Sequence, residues 1–338
     1  MKFKDYVAAL KAGTDLNRAD AEAFLSYMLD DEKLSEEQLA DALTALTDKT
    51  VTIDEVCGFV AAMRGRMVRL PGGADAIDTC GTGGDKSGTF NISTAAAIVL
   101  AGGSVPVAKH GNRAATSKCG SADVLEALGV PIDLPPEAAG RALKEHGFVF
   151  LFAPQYHPAL KRLSIVRRQL GFPTVFNLLG PLLNPAGVKR QIIGTFSIEN
   201  AKLLAQVMAT MDYEHALVLT SQDSLDEASL SAPVDVFEIR GDDISQWGFR
   251  ASDYGLESAP VSALQGGEDA GQSAQVIVDA LAPAAALSPA QRVIVLNAAF
   301  GFYVAGAEPS IEAGLQQAIQ VLADGRAAAK LVELSNHS

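Results

Sequence analysis

The chain has 338 residues, 48% of them hydrophobic, enough to bury a large core in one domain or two unequal ones; its 30 glycines and 15 prolines follow no repeat, which excludes solenoid and collagen-like architectures. A formal net charge of −13 argues against a nucleic-acid partner, because holding a phosphate backbone takes many lysine and arginine contacts. An anionic substrate would have to be held by a local cluster of cations, backbone amides or metal ions. Cys57, Cys80 and Cys119 are odd in number and widely spaced, which fits a reducing compartment with no disulfide framework and no zinc pattern. The start, MKFKDYVAALKAG, has no secretory pattern, and no stretch approaches the roughly 20 apolar residues of a spanning helix, so a cytoplasmic protein without a membrane partner is expected.

From Phe3 to Arg66 the pattern is helical: Leu25, Met28 and Leu29 share one face, and Leu39, Leu43 and Leu46 follow at helix spacing. Ser35 with Gln38, and Thr52 with Glu55, read as capping boxes. About four short helices are predicted, ending at the Pro71-Gly72-Gly73 linker. Beyond it the period changes. AIDTC (76–80) reads as a strand, GTGGDKSGTFN as a glycine-rich loop, and STAAAIVLAG as a helix capped by Ser93 or Thr94. VPVAK (105–109), the polar loop HGNRAATSKCG and the capped helix SADVLEALG (121–129) repeat that order, which predicts a mainly parallel sheet with ligand loops at the strands' carboxyl ends. Further strands are predicted at FVFLF (148–152), QIIGTFS (191–197) and ALVLT (216–220), with a helix over Ala201–Met211. Between Pro158 and Pro185 an arginine-bearing segment breaks this rhythm and suits helices returning to the first domain through a hinge. The C-terminal stretches LNAAFGFYVAG and IEAGLQQAIQVLADGRAAAKLVEL read as two covering helices. The expected boundaries are a helical domain over 1–70, joined by a returning segment at about 165–185, and an α/β domain over 71–338.

Gly81-Thr82-Gly83-Gly84-Asp85 leaves a strand and precedes a helix, a context in which exposed amides bind phosphate; it matches neither a Walker A loop nor GxGxxG, and as a bare glycine run it could be a tight turn. Asn91-Ile92-Ser93-Thr94 brings an amide and two hydroxyls to the helix start, for capping, for pyrophosphate or for a metal. Lys109-His110-Gly111-Asn112-Arg113 gathers cations, an imidazole and an amide after the second strand, with Ser117, Lys118 and Ser121 extending the cluster; the alternative is a solvated turn with Lys109 and Arg113 pointing outward. Asp226 and Glu227 are adjacent carboxylates beyond the ALVLT strand and suit Mg2+ carrying a pyrophosphate, although such a pair is commonly just solvated. Of Arg167 and Arg168, one can clamp a substrate carboxylate while the other stays in solvent.

In chain order GTGGD, TFNIST, KHGNR, SKCGSADVLEALG, VRRQLGFPTVFNLLGPLLNP and LDEAS give the sequence a resemblance to the anthranilate phosphoribosyltransferase family over essentially its whole length. The resemblance implies a nucleoside phosphorylase class II architecture, in which a small N-terminal helical domain joins a larger α/β domain by a hinge, and a homodimer. It implies transfer of the phosphoribosyl group of 5-phosphoribosyl-1-pyrophosphate to anthranilate in tryptophan biosynthesis. Gly81, Thr82, Gly83, Gly84, Asp85, Thr89, Asn91, Ser93, Thr94, Lys109 and Ser121 would contact the phosphoribosyl pyrophosphate. Ser93, Asp226 and Glu227 would bind two Mg2+ ions, and Gly81, His110, Asn112, His157 and Arg167 would hold anthranilate. Lys109 would stabilise the departing pyrophosphate; no general base is singled out, His110 being the one candidate. The sequence departs from the family at Lys86, where many relatives carry glycine, and at Cys119, where SKSG is usual.

Two other readings share parts of this pattern. A pyrimidine nucleoside phosphorylase would use the same architecture with phosphate and a nucleoside, but KHGNR and the tandem Asp226-Glu227 argue against it. A non-catalytic relative binding phosphoribosyl pyrophosphate or nucleic acid as a sensor is opposed by the acidic balance and the intact carboxylates.

Overall fold

The computed structural model describes residues 1–114 and 118–336; Ser117 lies outside the described residues. The chain divides into two compact units, Met1–Val68 with Pro154–Leu183, and Arg69–Ala153 with Asn184–Ser338.

The first unit opens with α1 (Phe3–Lys11), α2 (Arg18–Asp30), α3 (Glu36–Lys49) and α4 (Ile53–Arg64). Both predicted capping boxes form: Gln38 N–H donates to Ser35 Oγ at 3.2 Å and Ser35 N–H to Gln38 Oε1 at 2.9 Å, while Glu55 N–H donates to Thr52 Oγ1 at 3.3 Å and Thr52 N–H to Glu55 Oε2 at 2.8 Å. The helices close over Phe24, Leu25, Met28, Leu39, Leu43, Val56 and Phe59, all fully or almost fully buried.

In the second unit the strand-loop-helix rhythm gives β1 (Ile77–Gly81), α5 (Ile92–Gly102), β2 (Val107–Gly111), α6 (Ser121–Ala127), α7 (Pro136–His146) and β3 (Phe148–Phe152). Neither Ser93 nor Thr94 caps α5; its N-cap is Asn91, and both hydroxyls sit inside the first turn. At α6 the N-cap is Gly120, and the Asp123 carboxylate reaches back to accept the Gly120 N–H at 2.9 Å.

The chain then re-enters the first unit as α8 (Ala153–Tyr156), α9 (Lys161–Leu170) and α10 (Phe176–Leu179), which α4 receives through Arg64, whose guanidinium donates to the Leu182 carbonyl at 3.0 Å. It returns to the second unit as β4 (Arg190–Gly194), α11 (Ile198–Met208), β5 (His215–Ser221), β6 (Val234–Arg240) and β7 (Asp243–Phe249), then α12 (Ala270–Leu281), α13 (Pro289–Val304), α14 (Ile311–Ala323) and α15 (Arg326–Ser335). The sheet order is β3-β2-β1-β4-β5-β6-β7, parallel from β3 to β5 with β6 and β7 antiparallel. The hairpin β6–β7 goes beyond the strands read from the sequence. The C-terminal stretches also differ from two covering helices: α13 is buried on nearly all sides between α5 and α14, as a helix apolar all round must be, and the last stretch breaks into two helices where Gly325 takes a left-handed φ of 72°.

Candidate active site

β1 and β4 lie side by side in register, Gly81 opposite Gly194, while β2 and β3 extend the sheet to one side and β5 to the other. Chains leaving β1 and β4 diverge at this switch point and leave a crevice at the strands' carboxyl ends. The loop after β5 fills its floor. A Cβ on Gly81 would lie 2.3 Å from Asp226 Oδ2, and one on Gly194 only 1.5 Å from the Asp226 carbonyl oxygen, so the two glycines are what admit this loop. Gly83 N–H donates to Asp226 Oδ2 at 2.9 Å. The amide that the sequence offers to a phosphate is thus bonded to the carboxylate instead.

Asp85, Asp226 and Glu227 each bring a carboxylate oxygen within 4.8 Å of the others. Among the described residues, the buried atoms Glu227 Oε2 and Asp85 Oδ2 have no hydrogen-bond donor. Burial, then the neighbouring Asp85 charge, pushes the Asp226 pKa up to about 6; burial followed by the Asp226 and Asp85 charges lifts Glu227 well above the carboxylate range. Buried, unpartnered like charges are costly, and a hard divalent cation would relieve that cost by accepting these oxygens as ligands. The donor set therefore fits Mg2+. A cavity of about 20 Å3, the size of one water, is bordered by Asp226 and Glu227 with Thr79, Ser93 and Asn297.

Lys109 sits on β2, not in the loop after it, and is 2% exposed. Its Nζ donates to the Thr79 carbonyl at 2.5 Å and to Ser93 Oγ at 3.3 Å, which aims the charge at the start of α5. Burial lowers its pKa, opposed by Asp78, Glu227 and Asp226 among its neighbours. Asp78, fully buried in β1, accepts from His110 N–H at 3.2 Å, Asn184 Nδ2 at 2.8 Å and Gln191 Nε2 at 3.2 Å; burial raises its pKa to about 6 against the pull of Lys109. His110 is buried, and its Nδ1–H donates to the Leu151 carbonyl at 2.9 Å.

The remaining loop residues divide by what already holds them. Thr82 Oγ1 and Thr94 Oγ1 are buried with no partner among the described residues. Thr89 Oγ1 shares a 3.1 Å hydrogen bond with Ser87 Oγ. Asn91 Oδ1 accepts from Ser273 Oγ at 2.9 Å and its Nδ2 donates to the Cys119 carbonyl at 3.2 Å, so this amide stitches the loop before α6 to α12. Ser121 Oγ donates to the Asn112 carbonyl at 3.4 Å, and Asn112 Oδ1 accepts from Arg113 N–H at 2.8 Å. Arg113 pairs with Asp123 and Glu126, at 3.0 and 2.8 Å, and is not an anion ligand in this arrangement.

In the helical unit, Arg168 is exposed whereas Arg167 is half-buried. Arg167 lies over the Phe176 ring, 5.1 Å from its centroid, and donates to Thr174 Oγ1 at 3.1 Å and Asn177 Oδ1 at 3.4 Å. No carboxylate among the described residues pairs with it, and burial lowers its pKa. His157 Nε2–H donates to the Leu183 carbonyl at 3.1 Å, and burial pushes its pKa down to about 4, leaving a neutral ring at pH 7.

Asp78, Asn184, Gln191 and Asn297 shape the site without having been singled out from the sequence. Their signal was available: each is a polar residue inside or beside an apolar run, in AIDTC, LLNP, QIIG and LNAAF.

Two family models match the chain, the glycosyl transferase family helical bundle domain over residues 4–67 and the glycosyl transferase family a/b domain over residues 73–328. The anthranilate phosphoribosyltransferase of Geobacillus stearothermophilus is 43% identical over 318 residues, 94% of this chain and 92% of that protein. Among solved structures, the anthranilate phosphoribosyltransferase of Thermus thermophilus superposes with a TM-score of 0.89 at 37% identity, over 98% of each chain. That of Saccharomyces cerevisiae, in complex with PRPP and Mg, gives 0.88 at 25% identity, over 99% of this chain and 97% of the other. Sequence, fold and relatives agree, and the chain belongs to the anthranilate phosphoribosyltransferase family.

Proposed function

We propose that this chain transfers the phosphoribosyl group of phosphoribosyl pyrophosphate to the amine of anthranilate, releasing pyrophosphate, in tryptophan biosynthesis. The observation that carries the reading is the group Asp85, Asp226 and Glu227, three neighbouring carboxylates, of which Asp85 and Glu227 each keep a buried oxygen without a partner among the described residues, beside a glycine loop and a buried lysine. Asp226 and Glu227, with the Ser93 hydroxyl, would hold Mg2+, two ions in the fuller form of the reading. When bound, the metal offsets negative charge developing on the pyrophosphate.

The chain's own residues do the rest. The loop Gly81, Thr82, Gly83, Gly84 and Asp85, with Thr89, Asn91, Ser93, Thr94 and Ser121, binds and orients the phosphoribosyl pyrophosphate. Lys109 is already aimed at Ser93, so its ammonium needs little reorganisation to receive charge on the leaving group. Anthranilate is assigned to Gly81, His110, Asn112, His157 and Arg167. Arg167 suits the carboxylate because its guanidinium has no acidic partner among the described residues and is stiffened by Phe176, Thr174 and Asn177. His157, neutral at pH 7, adds polarity without charge. With the amine and the anomeric carbon held in line, orientation makes the main contribution to rate. No step requires a protein base: the attacking arylamine is neutral, and its proton can leave after the bond forms. A cytoplasmic homodimer completes the reading.

The test is the loss of anthranilate fluorescence on mixing protein, anthranilate, phosphoribosyl pyrophosphate and Mg2+, with the Asp226→Asn, Glu227→Gln double variant alongside. Loss that needs both the metal and the intact pair is the expected result. A double variant as fast as the parent would remove these carboxylates from the mechanism.

A further inference from the structure

The metal carboxylates stand on a loop that is braced from two sides. On one side the loop holds itself: Ser221 Oγ donates to the Glu227 carbonyl at 2.6 Å and accepts from Ser229 N–H at 3.1 Å, while Ser229 and Ser231 hydroxyls donate to Asp223 Oδ2 at 2.6 and 2.9 Å. On the buried side the brace is a side chain from α13, 69 residues along the chain. Asn297 Oδ1 accepts from Ala228 N–H at 3.0 Å, and its Nδ2 donates to the Ala228 carbonyl at 3.1 Å and to the Val293 carbonyl at 2.9 Å. Both amide hydrogens and the carbonyl are engaged. The Val293 carbonyl can only accept, so it fixes which end of the amide carries nitrogen; a flip would set oxygen against oxygen and NH2 against the Ala228 N–H.

Ala228 directly follows Glu227 and is fully buried, and Asn297 itself is 8% exposed. The Ala228 N–H held by Asn297 and the Glu227 carbonyl held by Ser221 Oγ belong to one peptide, so together they fix the plane that leaves Glu227, and the Asn297 bond to the Ala228 carbonyl fixes the next; this constrains the direction of the Glu227 side chain. Asn297 also borders the small cavity shared with Asp226, Glu227 and Ser93, where a neutral amide is tolerable and a fourth carboxylate would not be. We infer that Asn297 is a positioning residue that sets the Asp226-Glu227 pair at its cation-binding spacing, an inference that rests on the reading of those two residues as metal carboxylates.

Purified full-length protein titrated with Mn2+ alone, with free Mn2+ followed by electron paramagnetic resonance, tests this directly. Asn297→Leu keeps the volume and removes every hydrogen bond; Asn297→Asp keeps the shape and the acceptor for Ala228 N–H but loses both donors. Outer groups that orient metal ligands are worth about 10–100-fold in affinity, so the Mn2+ Kd should rise by about tenfold or more in both. In turnover, the half-saturating Mg2+ should rise in parallel, excess Mg2+ should recover most of kcat, and the KM for anthranilate should stay within about twofold. A merely structural role would lower the folded fraction, and so the number of sites, without moving Kd. Folded Asn297→Leu with the parent's Mn2+ Kd would overturn the inference; if the leucine variant does not fold, Asn297→Asp with an unchanged Kd would overturn it equally. Asp226→Asn separates the two levels: if it binds Mn2+ as tightly as the parent, the metal reading itself fails.

Discussion

The sheet of the larger unit carries two acidic sites, one on β6 and one in the loops beyond β1 and β5, and they are built in opposite ways. Glu238, on β6, has a full set of donors: Tyr303 Oη at 2.8 Å, Arg240 Nε and Trp247 Nε1 each at 2.9 Å, and His215 Nε2 at 3.0 Å. Burial pushes its pKa up, but the Tyr303, Trp247 and Arg240 hydrogen bonds and the Arg240 charge outweigh that, and the net shift is downward. Glu227, just beyond β5, keeps an oxygen without a donor among the described residues and shares its space with two other acids, and its pKa rises. A buried charge that is fully partnered is finished architecture. One left with open lone pairs beside other acids is waiting for something the chain does not contain, and the contrast separates a binding site from a structural one without reference to relatives.

The largest expected effect breaks the comparison at its root by neutralising each site in turn. The Asp226→Asn, Glu227→Gln double variant should lose about 10²–10³-fold or more in kcat, yet without metal its Tm should rise, because repulsion among the three acids is relieved. Glu238→Gln should do the reverse: activity stays within a few-fold, while unfolding costs about 1–3 kcal/mol less because a charged acceptor with four donors has been weakened. Thermal unfolding of metal-free protein and steady-state rates on the same preparations check both arms. If Glu238→Gln abolishes activity in a folded protein, the division between satisfied and open acids does not track function.

That division was only partly legible in the sequence, for a physical reason. Asp226 and Glu227 could be read because they are adjacent and follow an apolar strand. The place of Asp85 in the same group could not, since it depends on how the glycine loop turns back over the carboxyl end of β1. Strands buried on both faces, such as Phe148–Phe152 and His215–Ser221, announce themselves as apolar runs. The edge strand Asp243–Phe249 is largely exposed and carries no such signal, so Glu238's donor Trp247 had no visible context. VPVAK put Lys109 at the very end of its strand and KHGNR grouped it with the loop beyond, whereas β2 continues to Gly111 and buries the ammonium. Caps were misplaced at α5 because hydroxyls two and three residues into a helix look the same in sequence as those at its edge.

A smaller effect sharpens the comparison through pH. For Asp226, with its folded pKa raised to about 6, folding favours the protonated form, and Glu227 is shifted in the same direction. The stability this gives the metal-free protein is complete below the ordinary carboxylate pKa of 3.8 and is lost as pH rises through about 6. Mg2+ competes with those protons, so the rise in Tm on adding Mg2+ should be slight at about pH 5 and clear at about pH 7.5. Glu238, shifted the other way, predicts no such dependence, and the Glu238→Gln variant should show the same metal-linked pH profile as the parent. Equal Mg2+ shifts at both pH values would mean that the open acids do not bind the ion.

The smallest effect concerns the turns beside the two sites. The β6–β7 hairpin next to Glu238 places Gly241 at its left-handed position, with φ 63° and no penalty. In the loop beside Asp85 the corresponding conformation, φ 57°, falls on Lys86, an exposed residue. A side chain held left-handed costs about 1–2 kcal/mol, and glycine adds about 0.5–1 kcal/mol of unfolded-chain entropy in return. Lys86→Gly should therefore stabilise the metal-free protein by about 0.5 kcal/mol, the small margin left between those two terms. Because the substitution leaves every carboxylate in place, the Mg2+-dependent rise in Tm should be unchanged. A fall in Tm would mean that the lysine side chain holds the glycine loop in a way that outweighs its backbone strain, making this stretch part of the open site's support.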